Sequence, residues 1–264
     1  RPRAEQKRFR MSVALIILGA GKGTRMNSEL PKVVHPIAGA PMLVHAMRAG
    51  AALDPAHTVI VAGHGAEAVT KVAHAYDDEA KVVLQTEQLG TGHAVLQAAD
   101  ELAGFEGKVI VLYGDTPFVK PETLQAMLEA NADVVVLGFE PTDAARYGRL
   151  VTDGASLERI VEFKDATPRE RRIGLCNSGV ICCAAPLLFE LLNKVTNANA
   201  AEEYYLTDVI GLARLSGHSA SVVTCSEAET LGINSRAELA AADAMYQTEA
   251  RLQLMEDGVT LVAP

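Results

Sequence analysis

A glycine-rich loop follows the first apolar run of the chain. The stretch LGAGKGTRM, residues 18–26, places three glycines, a lysine and an arginine within nine positions at the end of the run Val13–Leu18. Glycines let backbone N–H groups come close to an anion, and the N-terminus of a following helix adds a favourable field. Arg25 can grip phosphate oxygens with its planar fork, and Lys32 can add a compact charge. The loop therefore predicts a phosphate site, with a plain strand-to-helix turn and solvated cations as the alternative.

Two common glycine loops do not fit this stretch. A dinucleotide fingerprint needs a third glycine where Thr24 stands, which disfavours a nicotinamide oxidoreductase. A P-loop needs serine or threonine after its lysine, but Lys22 is followed by Gly23. The sequence therefore indicates a phosphate loop of another kind.

Polar segments also follow later apolar runs. Gly63–Gly65, Gln85–Gly92 and Tyr113–Pro117 each come directly after such a run. In open α/β sheets, ligands bind beyond the carboxyl ends of the strands. We therefore expect these segments to lie beside the glycine-rich loop.

The apolar pattern predicts the elements that would position these residues. Short β-branched runs indicate buried strands at Val13–Leu18, Thr58–Ala62, Lys81–Leu84, Lys108–Tyr113, Asp133–Phe139, Leu175–Cys182 and Ser221–Cys225. Helical spacing lies between the first five, at Pro41–Ala52, Ala66–Tyr76, Gly92–Leu102 and Pro121–Ala130. This alternation predicts an α/β fold with a parallel sheet covered on both faces.

The stretch Arg146–Glu162 breaks this alternation. Apolar runs at 147–151 and 159–163 flank the turn Asp153-Gly154 as in a β-hairpin, so we expect a mixed sheet. Closing helices are predicted at Pro186–Lys194, Tyr204–Ser216 and Arg236–Met255. No Ser/Pro-rich linker or repeat divides the chain, so residues 11–264 are interpreted as one domain with two lobes around a cleft. Residues 1–10 are interpreted as disordered leader or appended residues outside the fold.

Composition restricts the class of ligand. The 264 residues carry a net charge of −9, with +6 on residues 1–32 and −15 on the remainder. No basic face with interleaved aromatic residues is evident, so we expect a small anionic ligand rather than nucleic acid. The four cysteines lack zinc or disulfide spacing, and the apolar run near the N-terminus is too short for a signal peptide. These features predict a cytoplasmic protein without a membrane partner.

Several stretches together resemble a known family. They are Leu18–Met26 with Leu30–Val33, Gln85–Ala94, Leu112–Pro117, Tyr147–Arg149, Ile160–Ala166, Asn177–Gly179 and Glu203–Asp208. In this order they are similar to the sugar-1-phosphate nucleotidylyltransferase superfamily, and more narrowly to the uridylyltransferase domain of the bacterial bifunctional GlmU family. The resemblance implies a Rossmann-like three-layer sandwich of nucleotide-diphospho-sugar transferase type, with a mostly parallel, mixed central sheet.

The resemblance also implies a reaction. Members convert UTP and N-acetylglucosamine-1-phosphate to UDP-N-acetylglucosamine and pyrophosphate, for peptidoglycan and lipopolysaccharide precursors. A related nucleotidylyltransferase with another sugar-1-phosphate or nucleotide is the first alternative. The second is a non-catalytic nucleotide-sugar sensor, which the joint presence of Arg25, Lys32, Asp115 and Asn234 disfavours.

The resemblance assigns residues to the nucleotide. The triphosphate and uracil positions correspond to Leu18, Gly19, Ala20, Gly21, Gly23, Thr24, Gln85, Gln88, Gly90 and Thr91. Arg25 corresponds to the residue that holds the departing pyrophosphate, and Lys32 to one beside the reacting phosphates. With Asp115 these two form the expected catalytic set. The amides of Gln85 and Gln88 can both donate to and accept from a uracil edge.

The resemblance assigns a metal and a sugar phosphate to further residues. Mg²⁺ is expected on Asp115 and Asn234, and the sugar phosphate on Tyr113, Gly148, Glu162 and Asn177. Simpler interpretations stay open for most of these. Asp115 can be a turn residue, Asn234 a helix cap, Tyr113 a core residue, and Glu162 and Asn177 polar residues at a sheet edge.

One departure concerns the end of the sequence. GlmU family members continue into a left-handed β-helix that acetylates glucosamine-1-phosphate and forms trimers, whereas this sequence stops at Pro264. No acetyltransferase activity is therefore expected, and the oligomeric state is left open.

Overall fold

The computed structural model describes residues 12–21, 23–144 and 146–262. The expectation for residues 1–10 lies outside this part of the chain. The described strands are β1 Val13–Gly19, β2 Pro36–Ile37, β3 Ala40–Pro41, β4 His57–Ala62, β5 Lys81–Leu84, β6 Lys108–Tyr113, β7 Val134–Phe139, β8 Arg149–Asp153, β9 Ser156–Val161, β10 Cys176–Ala184 and β11 Ala220–Thr224. The helices are α1 Met42–Ala51, α2 Ala66–Tyr76, α3 Thr91–Leu96, α4 Pro121–Glu129, α5 Ala185–Leu192, α6 Asp208–Leu215 and α7 Arg236–Glu256.

The central sheet has the strand order β11-β7-β10-β6-β1-β4-β5. Strand β1 is parallel to both neighbours, with Leu18 opposite Val61 on β4 and Tyr113 on β6. Strand β10 lies antiparallel between β6 and β7, and the predicted hairpin β8–β9 attaches to its beginning. The sheet is therefore mixed, as predicted, and the glycine loop after β1 lies beside the segment after β6.

Helices cover both faces of the sheet. Alternate residues of β1 point to opposite sides, so Ala14, Ile16 and Leu18 join one core and Val13, Leu15 and Ile17 the other. The first core is closed by α3, α5 and α6, and the second by α1, α2 and α4. The result is the predicted three-layer sandwich. The division of the domain into two lobes stays a prediction.

Helix α3 is shorter than predicted. It ends at Leu96, whereas the pattern predicted helix to Leu102. The amide of Ala98 bonds to the carbonyl of Val95 at 3.0 Å, so tight turns replace the helix. Ala98 and Leu102 are nevertheless buried, and it is their apolar spacing that imitates a continuing helix.

Residues 204–207 also differ from the prediction, because helix α6 begins at Asp208 rather than at Tyr204. The amide of Tyr204 donates to the carbonyl of Leu89 at 2.8 Å, and the carbonyl of Tyr204 accepts from Gly92 at 2.8 Å. This pairing to a distant loop keeps Tyr204 out of the helix, and residues 206–207 form a turn directly before Asp208. Local sequence carries no signal for such a contact.

Helix α7 packs outside the sandwich. Ala242 is buried with Ile37, Met42 and Ile233, and Tyr246 packs against the same small cluster. Its first turn carries a capping box between Ser235 and Glu238. Among the residues that the structure describes, no helix combines the length and apolarity needed to cross a membrane.

Candidate active site

The glycine loop after β1 bends back onto Lys32. Gly23 has a φ of 58°, and a Cβ added there would lie 2.7 Å from the Cβ of Lys32, so the close approach requires glycine. The loop continues into a short 3₁₀ helix, Thr24–Met26, whose Met26 is buried and whose Arg25 is exposed. The carbonyl of Met26 accepts from Nε of Arg236 at 3.0 Å, which ties the loop to α7.

Lys32 joins the two predicted metal ligands. Its ammonium donates to Oδ2 of Asp115 and, at 2.9 Å, to Oδ1 of Asn234. Asp115 follows β6 and Asn234 precedes α7, and the amide of Ile233 bonds the carbonyl of Asp115 at 3.0 Å. The helix cap is Ser235, so Asn234 does not serve as the cap that the simpler interpretation proposed.

The predicted uracil segment folds against residues 203–206. Nε2 of Gln85 donates to the carbonyl of Gly90 at 3.1 Å, and Nε2 of Gln88 donates to the carbonyl of Ala20 at 2.7 Å. Gly90 has a φ of 114°, and a Cβ there would lie 2.6 Å from the carbonyl oxygen of Tyr204. The segment is thus fixed both to the glycine loop and to the chain before α6.

A cavity of about 320 Å³, called here the nucleotide cavity, lies between these segments. Predicted residues that line it are Leu18, Gly19, Ala20, Gly21, Lys32, Gln85, Gln88, Gly90, Thr91, Tyr113 and Asp115. Gly23, Thr24 and Arg25 lie further along the loop and outside the lining. Val33, Ala94 and Glu203 also line the cavity and were not predicted as site residues, although each lies inside a stretch that carried the family resemblance.

Three predicted sugar-phosphate residues lie together and are called here the sugar cluster: Gly148, Glu162 and Asn177. The amide of Asn177 donates to the carbonyl of Gly148 at 2.9 Å. A Cβ on Gly148 would lie 3.3 Å and 3.4 Å from the carboxylate oxygens of Glu162. Glycine at this position therefore leaves the Glu162 carboxylate accessible from that side, and Oε1 of Glu162 also accepts from Thr207 at 3.2 Å.

Tyr113 connects the nucleotide cavity with the strand of the sugar cluster. It lines the cavity, and its ring lies against Gly179 on β10. A Cβ on Gly179 would lie 2.6 Å from Cε2 of the tyrosine ring. Burial raises the pKa of Tyr113, and the carboxylates of Glu162 and Asp115 add to that shift, so the phenol keeps its proton at neutral pH.

Negative charge accumulates beside the sugar cluster. Burial raises the pKa of Glu162 above its ordinary value, and the carboxylates of Asp165, Asp208 and Glu203 raise it further, against the bond from Thr207. Burial and Asp165 likewise raise the pKa of Asp208. These groups suit hydroxyl donors of a sugar better than a phosphate.

The chemistry of Asp115 and Asn234 fits a magnesium ion. The Lys32 ammonium already places one positive charge between a carboxylate oxygen and an amide oxygen, which are ligand types that Mg²⁺ accepts. Within the described ranges no group of three His, Cys, Asp or Glu side chains is placed to hold a metal. Mg²⁺ commonly keeps waters and substrate phosphates as its remaining ligands, so two protein oxygens are a sufficient set.

Comparison with known proteins adds relatives to this geometry. A family model for the MobA-like NTP transferase domain matches residues 15–205. The chain is 64% identical over 256 residues to the bifunctional protein GlmU of Roseobacter denitrificans and 65% identical over 256 residues to that of Ruegeria pomeroyi. Each match covers 96% of this chain and 57% of the relative, so the chain spans little more than half the length of these curated proteins.

Solved structures share the fold at low sequence identity. The inositol-1-phosphate CTP transferase of T. maritima superimposes with a TM-score of 0.70 and 18% identity, over 95% of this chain and 99% of its own. A UDP-glucose pyrophosphorylase in complex with UDP-glucose gives 0.70 and 18%, over 90% and 100%. These likenesses confirm the predicted fold class.

Proposed function

Because the chain belongs to the MobA-like NTP transferase family, we propose that it transfers the uridylyl group of UTP to N-acetylglucosamine-1-phosphate. The products are UDP-N-acetylglucosamine and pyrophosphate. One observation carries the proposal: Lys32 and Asp115 line a cavity beside a bare glycine loop, and Lys32 also holds Asn234. High identity to GlmU proteins over 96% of the chain supports the choice of substrates.

In the proposed reaction, a phosphate oxygen of the sugar-1-phosphate attacks the α-phosphorus of UTP. A new P–O bond forms, the bond between the α-phosphorus and the bridging oxygen breaks, and pyrophosphate leaves with that electron pair. The nucleophile is already an anion, so no covalent enzyme intermediate or general base is required. The protein has to bring two mutually repelling phosphates into line and to compensate the charge of the leaving group.

The chain's own groups supply this compensation. Backbone N–H groups of the glycine loop face the triphosphate, Lys32 lies beside the reacting phosphates, and the exposed Arg25 closes on the departing pyrophosphate. Asp115 and Asn234 would hold Mg²⁺, which when bound neutralises phosphate charge and orients the oxygens. Because Lys32 donates to these same two oxygens, its ammonium would turn to the phosphates where Mg²⁺ is held there.

The bases and sugars are selected on opposite sides of Tyr113. Gln85, Gln88 and the backbone at Gly90, which line the nucleotide cavity, bind the uracil edge. The sugar cluster receives the hexosamine, with Glu162 accepting from its hydroxyls. We place the reaction in the cytoplasm, where it supplies nucleotide sugar for the cell envelope.

Pyrophosphate release from UTP and N-acetylglucosamine-1-phosphate, with Mg²⁺ and with EDTA, tests the proposal. We expect magnesium-dependent release, with lower rates for dTTP, CTP, GTP and glucose-1-phosphate. Asp115→Ala removes a proposed ligand and Lys120→Ala, an exposed lysine, serves as the matched control. A clear preference for another sugar phosphate or nucleotide would show that the proposed substrates are wrong. Binding of UTP without release of pyrophosphate would instead indicate a nucleotide-sugar sensor.

A further inference from the structure

Arg149 is an arginine buried beneath the sugar cluster. It begins β8 directly after Gly148, and only 2% of its surface is exposed. Burying a guanidinium costs free energy unless its donors find acceptors, so a fully buried arginine needs a set of aligned oxygens. The acceptors found by Arg149 identify what the side chain holds in place.

The guanidinium joins two segments of backbone that are separate in sequence. Nη1 donates to the carbonyls of Tyr147 and, at 3.2 Å, Ala144, in the loop before Gly148. Nε and Nη2 both lie 3.4 Å from the carbonyl of Arg171, in the 3₁₀ helix Glu170–Arg172 that follows Glu162 in the chain. One planar group thus fixes the loop before Gly148 to the 3₁₀ helix Glu170–Arg172.

An aromatic ring completes this arrangement. Phe163, the residue after Glu162, has its ring centroid 5.9 Å from Cζ of Arg149 and 4.4 Å from Cζ of Arg171. Guanidinium groups at such distances from a ring are attracted to it. The peptide after Glu162 is therefore also held by the guanidinium of Arg149.

Each residue of the sugar cluster is adjacent in sequence either to Arg149 or to a residue that lies opposite Arg149 in a β-ladder. Gly148 precedes Arg149 itself. Glu162 follows Val161, which lies opposite Arg149 in the β8–β9 ladder. Asn177 follows Cys176, which lies opposite Arg149 in the β8–β10 ladder.

We propose that Arg149 is a positioning residue for the hexosamine phosphate, acting through Gly148, Glu162 and Asn177 rather than by touching the substrate. This role rests on the proposed function. Lysine cannot replace it, because a single ammonium cannot reach the carbonyls of Tyr147 and Arg171 on two sides at once. Loss of the guanidinium is expected to loosen the sugar cluster and to leave the nucleotide cavity, which Arg149 does not line, intact.

Steady-state kinetics of Arg149→Lys and Arg149→Met test the role. The KM for N-acetylglucosamine-1-phosphate is expected to rise about tenfold or more in Arg149→Met and severalfold in Arg149→Lys, while the KM for UTP changes less than about twofold. Arg159→Met is the matched control, because Arg159 holds the same 3₁₀ helix from outside through a half-exposed ion pair to Glu170. Its two KM values are expected to stay near those of the unmodified protein. Equal increases in both KM values, or an unchanged sugar KM in a folded variant, would overturn the role.

Binding measurements keep the role testable if Arg149→Met folds poorly. In calorimetric titrations of Arg149→Lys, the affinity for UDP-N-acetylglucosamine should fall relative to the affinity for UDP, and an unchanged ratio would overturn the role. Turnover by the unmodified protein is measured first. Its absence overturns the proposed function and this role together, whereas turnover with unchanged ratios in the variants overturns only the role of Arg149.

Discussion

At the scale of single residues, Lys32 brings positive charge into the lining of the nucleotide cavity. Its side chain is 11% exposed and bonds the two oxygens that are expected to hold Mg²⁺. Arg25, by contrast, is exposed on the 3₁₀ helix of the glycine loop. The two cations therefore differ in what they contribute to the fold, although both are expected to act on phosphate.

Substitution of these residues separates catalysis from folding. Arg25→Ala, Lys32→Ala and Asp115→Ala are each expected to lower turnover by about 10²–10³, because each removes compensation for phosphate charge. Arg25→Ala should leave Tm unchanged, whereas Lys32→Ala removes a mostly buried ion-pair partner and should lower it. Pyrophosphate release and thermal unfolding measure the two effects, with Lys120→Ala as control. Turnover near that of the unmodified protein would remove the substituted residue from the mechanism.

Gly179 offers a second test at this scale. It has a φ of 94°, and an added Cβ would lie 2.6 Å from the ring of Tyr113. Gly179→Ala is therefore expected to cost roughly 2 kcal/mol from backbone strain and ring displacement, and to lower Tm by about 4–8 °C. The sugar-phosphate KM should rise with it, because the displaced ring lies between the nucleotide cavity and β10.

Gly211→Ala is the control for this substitution. Gly211 lies in α6, and an added Cβ there meets no atom within 4 Å. Alanine favours the helix, so Tm should stay the same or rise slightly. Equal Tm values for the two alanine variants would show that the space beside Tyr113 is not restricted.

Individual site residues could be predicted to different extents. The glycine loop, Lys32 and Asp115 belong to contiguous motifs, and the structure brings them to one cavity. Arg149 was present in the Tyr147–Arg149 motif, but sequence alone did not distinguish a buried guanidinium from a surface one. Its role depends on carbonyl groups, which every residue has and which leave no mark in side-chain patterns.

At the scale of elements, apolar runs predicted the buried strands because neighbouring helices cover both faces of the sheet. The strands β1 and β6 lie within one residue of their predicted bounds and are largely buried. Strand β5 has the predicted bounds, but its predicted burial is wrong: it lies at the edge of the sheet, and Lys81 and Leu84 are exposed. The pattern missed the short local hairpin β2–β3 and placed residues 204–207 in α6, although the backbone of Tyr204 pairs with the distant Leu89 and Gly92. Such pairings depend on the folded arrangement rather than on local periodicity.

The N-terminus of α7 links an element to the site. Oε2 of Glu238 accepts from the amides of Asn234 at 2.6 Å and Ser235 at 3.1 Å, and Oγ of Ser235 accepts from the amide of Glu238 at 3.2 Å. Ser235→Ala should cost about 1 kcal/mol, a fall in Tm of about 2–4 °C. Because the cap also orients Asn234, the Mg²⁺ concentration for half-maximal activity should rise.

Thr248→Ala provides the comparison within the same helix. Thr248 is exposed, and its hydroxyl donates to the carbonyl of Ala244 within α7. Both Tm and the magnesium requirement should stay near those of the unmodified protein. A magnesium requirement that is unchanged in Ser235→Ala despite a lower Tm would show that the Ser235 cap does not orient Asn234 for binding Mg²⁺.

At the scale of the whole molecule, strand order assembles the site. Strand β10 inserts between β6 and β7, which brings Gly179 beside Tyr113 at the end of β6. The sequence predicted a mixed sheet but not which strand runs antiparallel, since strand order depends on how distant segments pair. Motif similarity could therefore name the sugar cluster, while its place relative to the nucleotide cavity had to come from the fold.

The fold also gathers carboxylates beside the sugar cluster, and their pKa values shift in the opposite direction to those of two carboxylates elsewhere on the molecule. Beside the sugar cluster the pKa values of Glu162 and Asp208 are raised, chiefly by burial. At the surface, the hydrogen bond and ion pair from Lys194 lower the pKa of Glu190, and bonds from Thr167 lower that of Glu170 to about 2. The molecule thus combines groups whose titration acts on stability in opposite directions.

Glu162→Gln tests the effect of a raised pKa on stability. With a raised pKa in the folded state, Glu162 binds its proton more tightly in the native than in the unfolded chain. The free energy of unfolding that depends on Glu162 therefore falls as pH rises from about 4.5 through the native pKa, and levels off above it. Glutamine does not titrate, so the Tm of Glu162→Gln minus that of the unmodified protein should grow over this range and then become constant. Sugar-phosphate turnover should be lost at the same time.

Glu190→Gln should show the opposite dependence. Its pKa is lowered in the folded state, so the unmodified protein gains stability from Glu190 above its unfolded pKa and loses it as pH falls through the folded pKa. The Tm of Glu190→Gln should therefore lie below that of the unmodified protein at neutral pH and approach it in acid. Thermal unfolding of the three proteins from about pH 3 to pH 8 measures both trends. A Tm difference for Glu162→Gln that does not vary with pH would mean that Glu162 has the same pKa in the folded protein and in the unfolded chain. Burial and the neighbouring carboxylates at the sugar cluster would then not raise that pKa.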